Sequence, residues 1–171
     1  MSKIIKGRMT AVHEGDFVVF IIGMRLNNIF KVHKWLPAIF AMPAMLKELA
    51  KNPESGFLGA EQGMRFMIQY WRSLDDLTRY ARATDSKHFP AWVRFNKALS
   101  KSTDLGIFHE TFIVKAGAYE CVYNNMPPFG LGKVSKLVPA KGKYGSARSR
   151  AGLTETDDAP VDAEGNVRAV A

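Results

Sequence analysis

Cysteine is almost missing from this chain: Cys121 is the only one among 171 residues. No disulfide can close within the chain, and no cysteine-rich zinc site can assemble. Long hydrophobic runs are missing too. The longest strongly apolar segment, FVVFIIGM at Phe17–Met24, is far short of the roughly 20 residues a membrane-spanning helix needs. The opening stretch MSKIIKGRMTAVHEGD has basic residues but no apolar core followed by a small-residue cleavage site. These gaps point to a cytoplasmic protein with no membrane partner. A Walker loop, a dinucleotide fingerprint and a nucleophile elbow are likewise absent. No histidines and carboxylates stand at metal-ligand spacing, so no metal is expected.

Acids are the scarcer charges, leaving a formal net charge of +8. The excess sits mostly on the first 132 residues, where bases and acids are interspersed. With no CxxC finger and no RNP motif, this reads as a solvated basic surface without a specific nucleic-acid partner. After Lys133 the composition shifts. Seven of those 39 residues are Leu, Ile or Val and none is Phe, too little apolar surface to bury. The expected organisation is therefore one domain over residues 1–132 and a mostly disordered tail over 133–171.

What is present reads as an ordered series of elements. Phe17–Met24 is apolar on both alternating sets, as in a strand buried on both faces. From about Val32 to Lys51 the apolar positions recur at three- and four-residue steps, predicting an amphipathic helix. Pro43 lies inside that pattern and is expected to kink or split it. Phe57–Glu61 and Arg65–Arg72, joined at Gln62-Gly63, predict a hairpin. Ser73 predicts an N-cap, with Asp76 three positions on. Leu74, Leu77, Tyr80 and Ala81 form the expected buried stripe, with Asp75 and Arg79 paired outside. A second helical piece restarts near Lys87. Leu105–Val114 alternates as a strand, Ala118–Tyr123 as a further short one, and Asn124–Lys133 reads as a turn-rich loop suited to a lid or a dimer clasp.

Strand, helix, hairpin, helix, strand is the βαββαβ order of the ferredoxin-like, split-βαβ plan. The predicted fold class is α+β, an antiparallel sheet with helices on one face. A first strand apolar on both sides predicts a second subunit over the other face, hence a homodimer.

The segments GDFVVFIIGMR, KVHKWLPAIFAMPAML, ESGFLG, QYWRSLDDLTRYAR, IFHETFIVKAGAYE and NNMPPFGLG resemble, in the same order, the monooxygenase-like family related to the fumagillin-pathway polyketide monooxygenase. The resemblance covers residues 8–132. It implies the dimeric α/β-barrel architecture shared with antibiotic-biosynthesis and haem-degrading monooxygenases, with a pocket between the sheet and its helices. The implied activity is oxidation of an apolar, phenolic or polyketide-like molecule by O2 without a tightly bound cofactor. Alternatives are a haem protein of the same fold and a non-catalytic small-molecule-binding dimer.

Within that frame His109 and Glu110 are neighbours on a strand and leave opposite faces. One of them should enter the pocket as a catalytic group, an imidazole being suited to general-base work near neutral pH. A buried Glu110 would need a partner such as Arg72, Arg65 or Arg25. His88 resembles, by position, the axial histidine of the haem-degrading relatives, and otherwise serves the pocket or the packing. Trp71, Tyr70, Trp92 and Phe95 supply candidate aromatic walls for the substrate, and Arg72 joins His88 and His109 as a candidate catalytic polar group. His13 and His33 read as surface residues.

Overall fold

The computed structural model describes residues 3–84, 89, 93, 96, 97, 102–153 and 166. The chain divides into two compact units, Val18–Ile113 and a discontinuous one made of Met1–Phe17 with Val114–Ala171. Both are antiparallel where strand pairing is resolved in register, so the fold is mixed α+β.

The continuous unit holds a four-stranded sheet. Its members are β2 (Phe17–Leu26), β3 (Phe57–Gln62), β4 (Phe66–Trp71) and β5 (Leu105–Val114), in the order β3-β4-β2-β5, with Phe17 and Val114 at the strand ends belonging to the other unit. Helix α1 (Val32–Ala50) follows β2, and α2 (Leu74–Arg82) follows β4. Val18 stands opposite Trp71, Phe20 opposite Gln69 and Ile22 opposite Met67. Directly opposed residues share a face, so this row is one side of the sheet. It meets the helices there: Val18 and Trp71 form the buried cluster with Leu49 of α1 and Leu77 of α2, and Phe20, Phe57 and Tyr80 pack around it. Val19, Ile21, Ile68 and Tyr70 take the other side.

Two local devices hold α2 in place. Ser73 Oγ accepts the Asp76 amide at 3.1 Å, the expected N-cap. The Asp76 carboxylate, 3% exposed, accepts from Arg72 Nε at 2.8 Å and Nη2 at 3.2 Å, and also from Arg79. Arg79 thus pairs with Asp76 and not with Asp75, because Asp76 is the buried carboxylate, already held by Arg72, while Asp75 is exposed. The stripe is narrower than expected. Leu77 is buried and Tyr80 half-buried, but Leu74 is 40% exposed and Ala81 lies outside. Gly56 turns the chain at φ +75°, and a Cβ there would meet Asp76 at 2.3 Å. Helix α1 is one element: Pro43 removes a backbone donor but does not divide it.

The discontinuous unit carries a three-stranded sheet, β6-β1-β7, from Tyr123–Met126, Ile5–Val12 and Lys136–Pro139. Two expectations are corrected here, and Ile5–Val12 is a strand that no expectation covered. Ala118–Tyr123 is not one; pairing begins at Tyr123, opposite Met9. Residues 133–153 are ordered and belong with the N-terminal strand, so the boundary at 132 does not separate a domain from a tail. Leu137 and Val138 pair with Ala11 and Thr10, which are 3% and 1% exposed. The burial that the tail's own composition lacks comes from β1. Further along, Arg150 Nη1 donates to the Tyr144 and Gly145 carbonyls at 2.9 and 2.8 Å while its Nη2 meets Glu120 at 2.7 Å, fastening the turn after β7.

Candidate active site

The helix-side face of the four-stranded sheet is buried at the interior strand β4 and exposed at the edge strand β5. On β4, Met67, Gln69 and Trp71 are 2%, 8% and 0% exposed. On β2, Val18 is buried while Phe20 and Ile22 are half-buried. On β5 the row is Ile107, His109, Thr111 and Ile113, all exposed, with Ile107 at 43% and Ile113 at 59%. Burial along this face therefore increases from exposed β5 to buried β4, a graded face that we call the trough.

His109 belongs to this face. Its ring lies 5.7 Å from Phe20, tilted by 38°. Alternation then sends Glu110 to the opposite face, along with Phe108, whose ring packs over Gly23: a Cβ at Gly23 would fall 2.6 Å from it. Of the adjacent pair, the histidine is the one placed among the helix-side groups.

The other expected residues divide. Trp71 is wholly buried, edge-on to Phe57 at 5.3 Å and tilted against Tyr80 at 5.7 Å. It is a wall of the core with no surface open to a substrate. Tyr70 is half-buried on the opposite face, paired with Val19. Arg72 is engaged by Asp76 at the α2 cap, so its guanidinium serves the helix and not Glu110. His88, Trp92 and Phe95 lie outside the described residues. Among the described residues no group of three His, Cys, Asp or Glu side chains is placed to hold a metal.

The structure adds polar groups beyond the expected ones. Gln69 is buried in the middle of the apolar row. Its Oε1 accepts the Trp71 indole N–H at 2.9 Å, and its Nε2 donates to Met67 Sδ at 3.4 Å. A glutamine between Met67 and Trp71 on one alternating set was the available signal. Tyr80, near Glu48, has its phenol pushed up to about 12, first by burial and then by the Glu48 charge, so it stays a donor at neutral pH.

In the other unit His13 is half-buried, not a surface residue. Its Nδ1 lies 2.9 Å from Ser135 Oγ, its backbone N–H donates to Tyr119 Oη at 2.6 Å, and its ring sits edge-on to Phe17 at 5.0 Å. Burial lowers its pKa, partly offset by Glu14. His33 is exposed, as expected. Asn124–Lys133 is only partly a loop, since β6 and the helical turn Leu131–Val134 occupy most of it.

A four-stranded sheet with α1 and α2 packed on one face, and a histidine on its edge strand turned to that same face, defines an α+β protein. The model of the monooxygenase af470-like family matches residues 17–131, and the chain belongs to that family. Monooxygenase af470 of Aspergillus fumigatus is 29% identical over 157 residues, which span 78% of this chain and 56% of that protein. The chain therefore covers about half the length of this curated relative. Among solved structures, aldoxime dehydratase superposes with a TM-score of 0.60 at 17% identity, covering 82% of this chain and 45% of that one. That likeness concerns the fold. A Bacteroides thetaiotaomicron protein described as a possible oxidoreductase reaches a TM-score of only 0.36 at 13% identity over 59% of this chain, too low to inform the reading. No helix of the described residues is long and apolar enough to cross a membrane.

Proposed function

We propose that the chain is a small monooxygenase-like enzyme in which His109 is the general base, acting on an apolar phenolic or polyketide-like molecule with O2 and no resident cofactor. The observation carrying this reading is the position of His109 beside Phe20 on the open side of the trough, within the residues that match the family. The imidazole takes a proton from a phenol, or from a CH2 flanked by carbonyl or aryl groups. The resulting anion is electron-rich enough to react with O2 itself. In the balanced outcome the CH2 becomes C=O, one oxygen atom entering the product and the other leaving as water. The protein's share is to bind, deprotonate and exclude water.

We place the enzyme in a homodimer of ferredoxin-like units, the dimeric α/β-barrel arrangement. Support comes from the sheet order and from the face opposite the trough, where Phe66, Phe108 and Phe112 are 46%, 44% and 49% exposed. Exposed aromatics that share one sheet face suit an association surface.

The test is oxygen consumption by the purified protein with a panel of polycyclic phenols and anthrones. Uptake is expected with at least one of them, falling roughly 100-fold or more in His109→Ala. Uptake unchanged by that substitution removes His109 from the mechanism. Saturable binding without any uptake assigns the chain to non-catalytic small-molecule binding.

A further inference from the structure

We propose that Gln69 is the polar end-stop of the same trough, and that its ligand is an elongated apolar molecule with an oxygen at each end, one held by Gln69 Nε2 and the other facing His109. The proposal deepens the reading of His109 as base and rests on it.

The orientation of the Gln69 amide follows from its neighbour. An indole N–H only donates, so the amide atom 2.9 Å from Trp71 Nε1 is the oxygen. The NH2 group then faces Met67, where the one acceptor it has among the described residues is a thioether sulfur at 3.4 Å. An NH2 group carries two donors and a thioether is a weak acceptor. A side chain 8% exposed in an otherwise apolar row thus offers donor capacity that the protein itself uses poorly. Burying such a group costs stability unless an oxygen arrives to meet it.

The sheet fixes where that oxygen belongs. Gln69 stands opposite Phe20 on β2, and Phe20 lies 5.7 Å from His109 on β5. Three successive strands therefore present amide, phenyl and imidazole in one row across the trough. Two inter-strand steps separate the polar ends by roughly 10 Å. Exposure rises along the same line, from buried Gln69 through half-buried Phe20 to exposed His109. A ligand entering beside His109 lies over the Phe20 ring and ends at Gln69. An accepting carbonyl or hydroxyl at the far end completes the amide, and the ionisable oxygen stays at the mouth.

Two probes differing by one hydroxyl test this: para,para′-biphenol, with an oxygen at each end, and para-phenylphenol, with one. Titrations of the wild-type protein, followed calorimetrically, are expected to show the diol binding about 5- to 10-fold more tightly. Gln69→Leu, with its fold checked by circular dichroism, should abolish that preference, the two probes then binding within about twofold of each other. Met67→Leu leaves the Trp71 acceptor in place and removes the competing sulfur, so it should enlarge the preference; it serves if Gln69→Leu does not fold. Equal affinity for the two probes, no binding of either, or a preference that survives Gln69→Leu overturns the proposal. A Gln69-dependent preference without oxygen uptake by any phenol leaves the trough standing and removes the monooxygenase reading. Uptake that needs His109 but shows no preference for the diol does the reverse.

Discussion

Replacing Asp76 by asparagine isolates one negative charge at the start of α2. The carboxylate is 3% exposed. Its pKa is lowered to about 2, first by the Arg72 hydrogen bonds and then by Ser73 and Arg79, against an opposing burial penalty. A fall from 3.8 to about 2 corresponds to roughly 2.5 kcal/mol at 1.36 kcal/mol per unit. Arg72 and Arg79 are 55% and 61% exposed, however, and water screens pairs of that kind. About 1–2 kcal/mol is therefore expected. The sign follows from the depressed value: the folded state holds the carboxylate ionised more readily than the unfolded chain does. The contribution is complete above about pH 4 and disappears as the pH falls through about 2. Urea unfolding followed by near-ultraviolet circular dichroism of the buried Trp71 gives the measurement. At neutral pH Asp76→Asn should unfold at a lower urea midpoint with unchanged slope, and the gap should close toward about pH 2. An unchanged midpoint at neutral pH, or a gap that persists in strong acid, would refute the argument that this charge holds the cap.

Three further outcomes are expected. His13, with its pKa lowered mainly by burial, favours the folded state as the neutral imidazole. Melting temperature should fall as the pH drops below about 6.5, and His13→Asn should flatten that slope; an identical slope in the variant contradicts the assignment. Haemin titration should give no saturable Soret band, whereas a stoichiometric band lost in His88→Ala would make His88 an axial ligand and refute the cofactor-free reading. Sedimentation should give the mass of two chains for the wild type and of one for Phe112→Glu; a monomeric wild type excludes the proposed dimer.

The legible parts of the fold were those whose partners are local or whose pattern is uninterrupted. Leu105–Val114 alternates through its whole length, and the structure has β5 with those bounds. Ser73 was readable because capping depends on a hydroxyl three residues before an amide. By contrast, β1 carries Lys6, Gly7 and Arg8 in its interior and a register shift between Ile5 and Arg8, which erases the period-two signal. The strand at Lys136–Pro139 is four residues long, and its burial comes from Thr10 and Ala11, far away in the chain. No window of sequence around it contains that information. At the site, the opposed directions of His109 and Glu110 followed from strand geometry alone, but which of them faces the helices required the position of Phe20. Trp71 fits a substrate wall by sequence because aromatic strand residues serve cores and pockets alike, and only its complete burial separates the two.

The pairing of Met9 with both Tyr123 and Pro139 sets an order of events during synthesis. Strand β1 leaves the ribosome early, yet neither of its neighbours exists until the whole of Val18–Ile113 has been made. The four-stranded unit can collapse while β1 waits with both edges bare. Its unpaired N–H and C=O groups are open to any passing strand in that interval. The interior Lys6 and Arg8 that hide β1 from a pattern search are the kind of charge that discourages such pairing. A chain released before Lys136 keeps the complete trough but leaves one edge of β1 permanently open, so aggregation, more than loss of the site, is the expected defect of such a truncation.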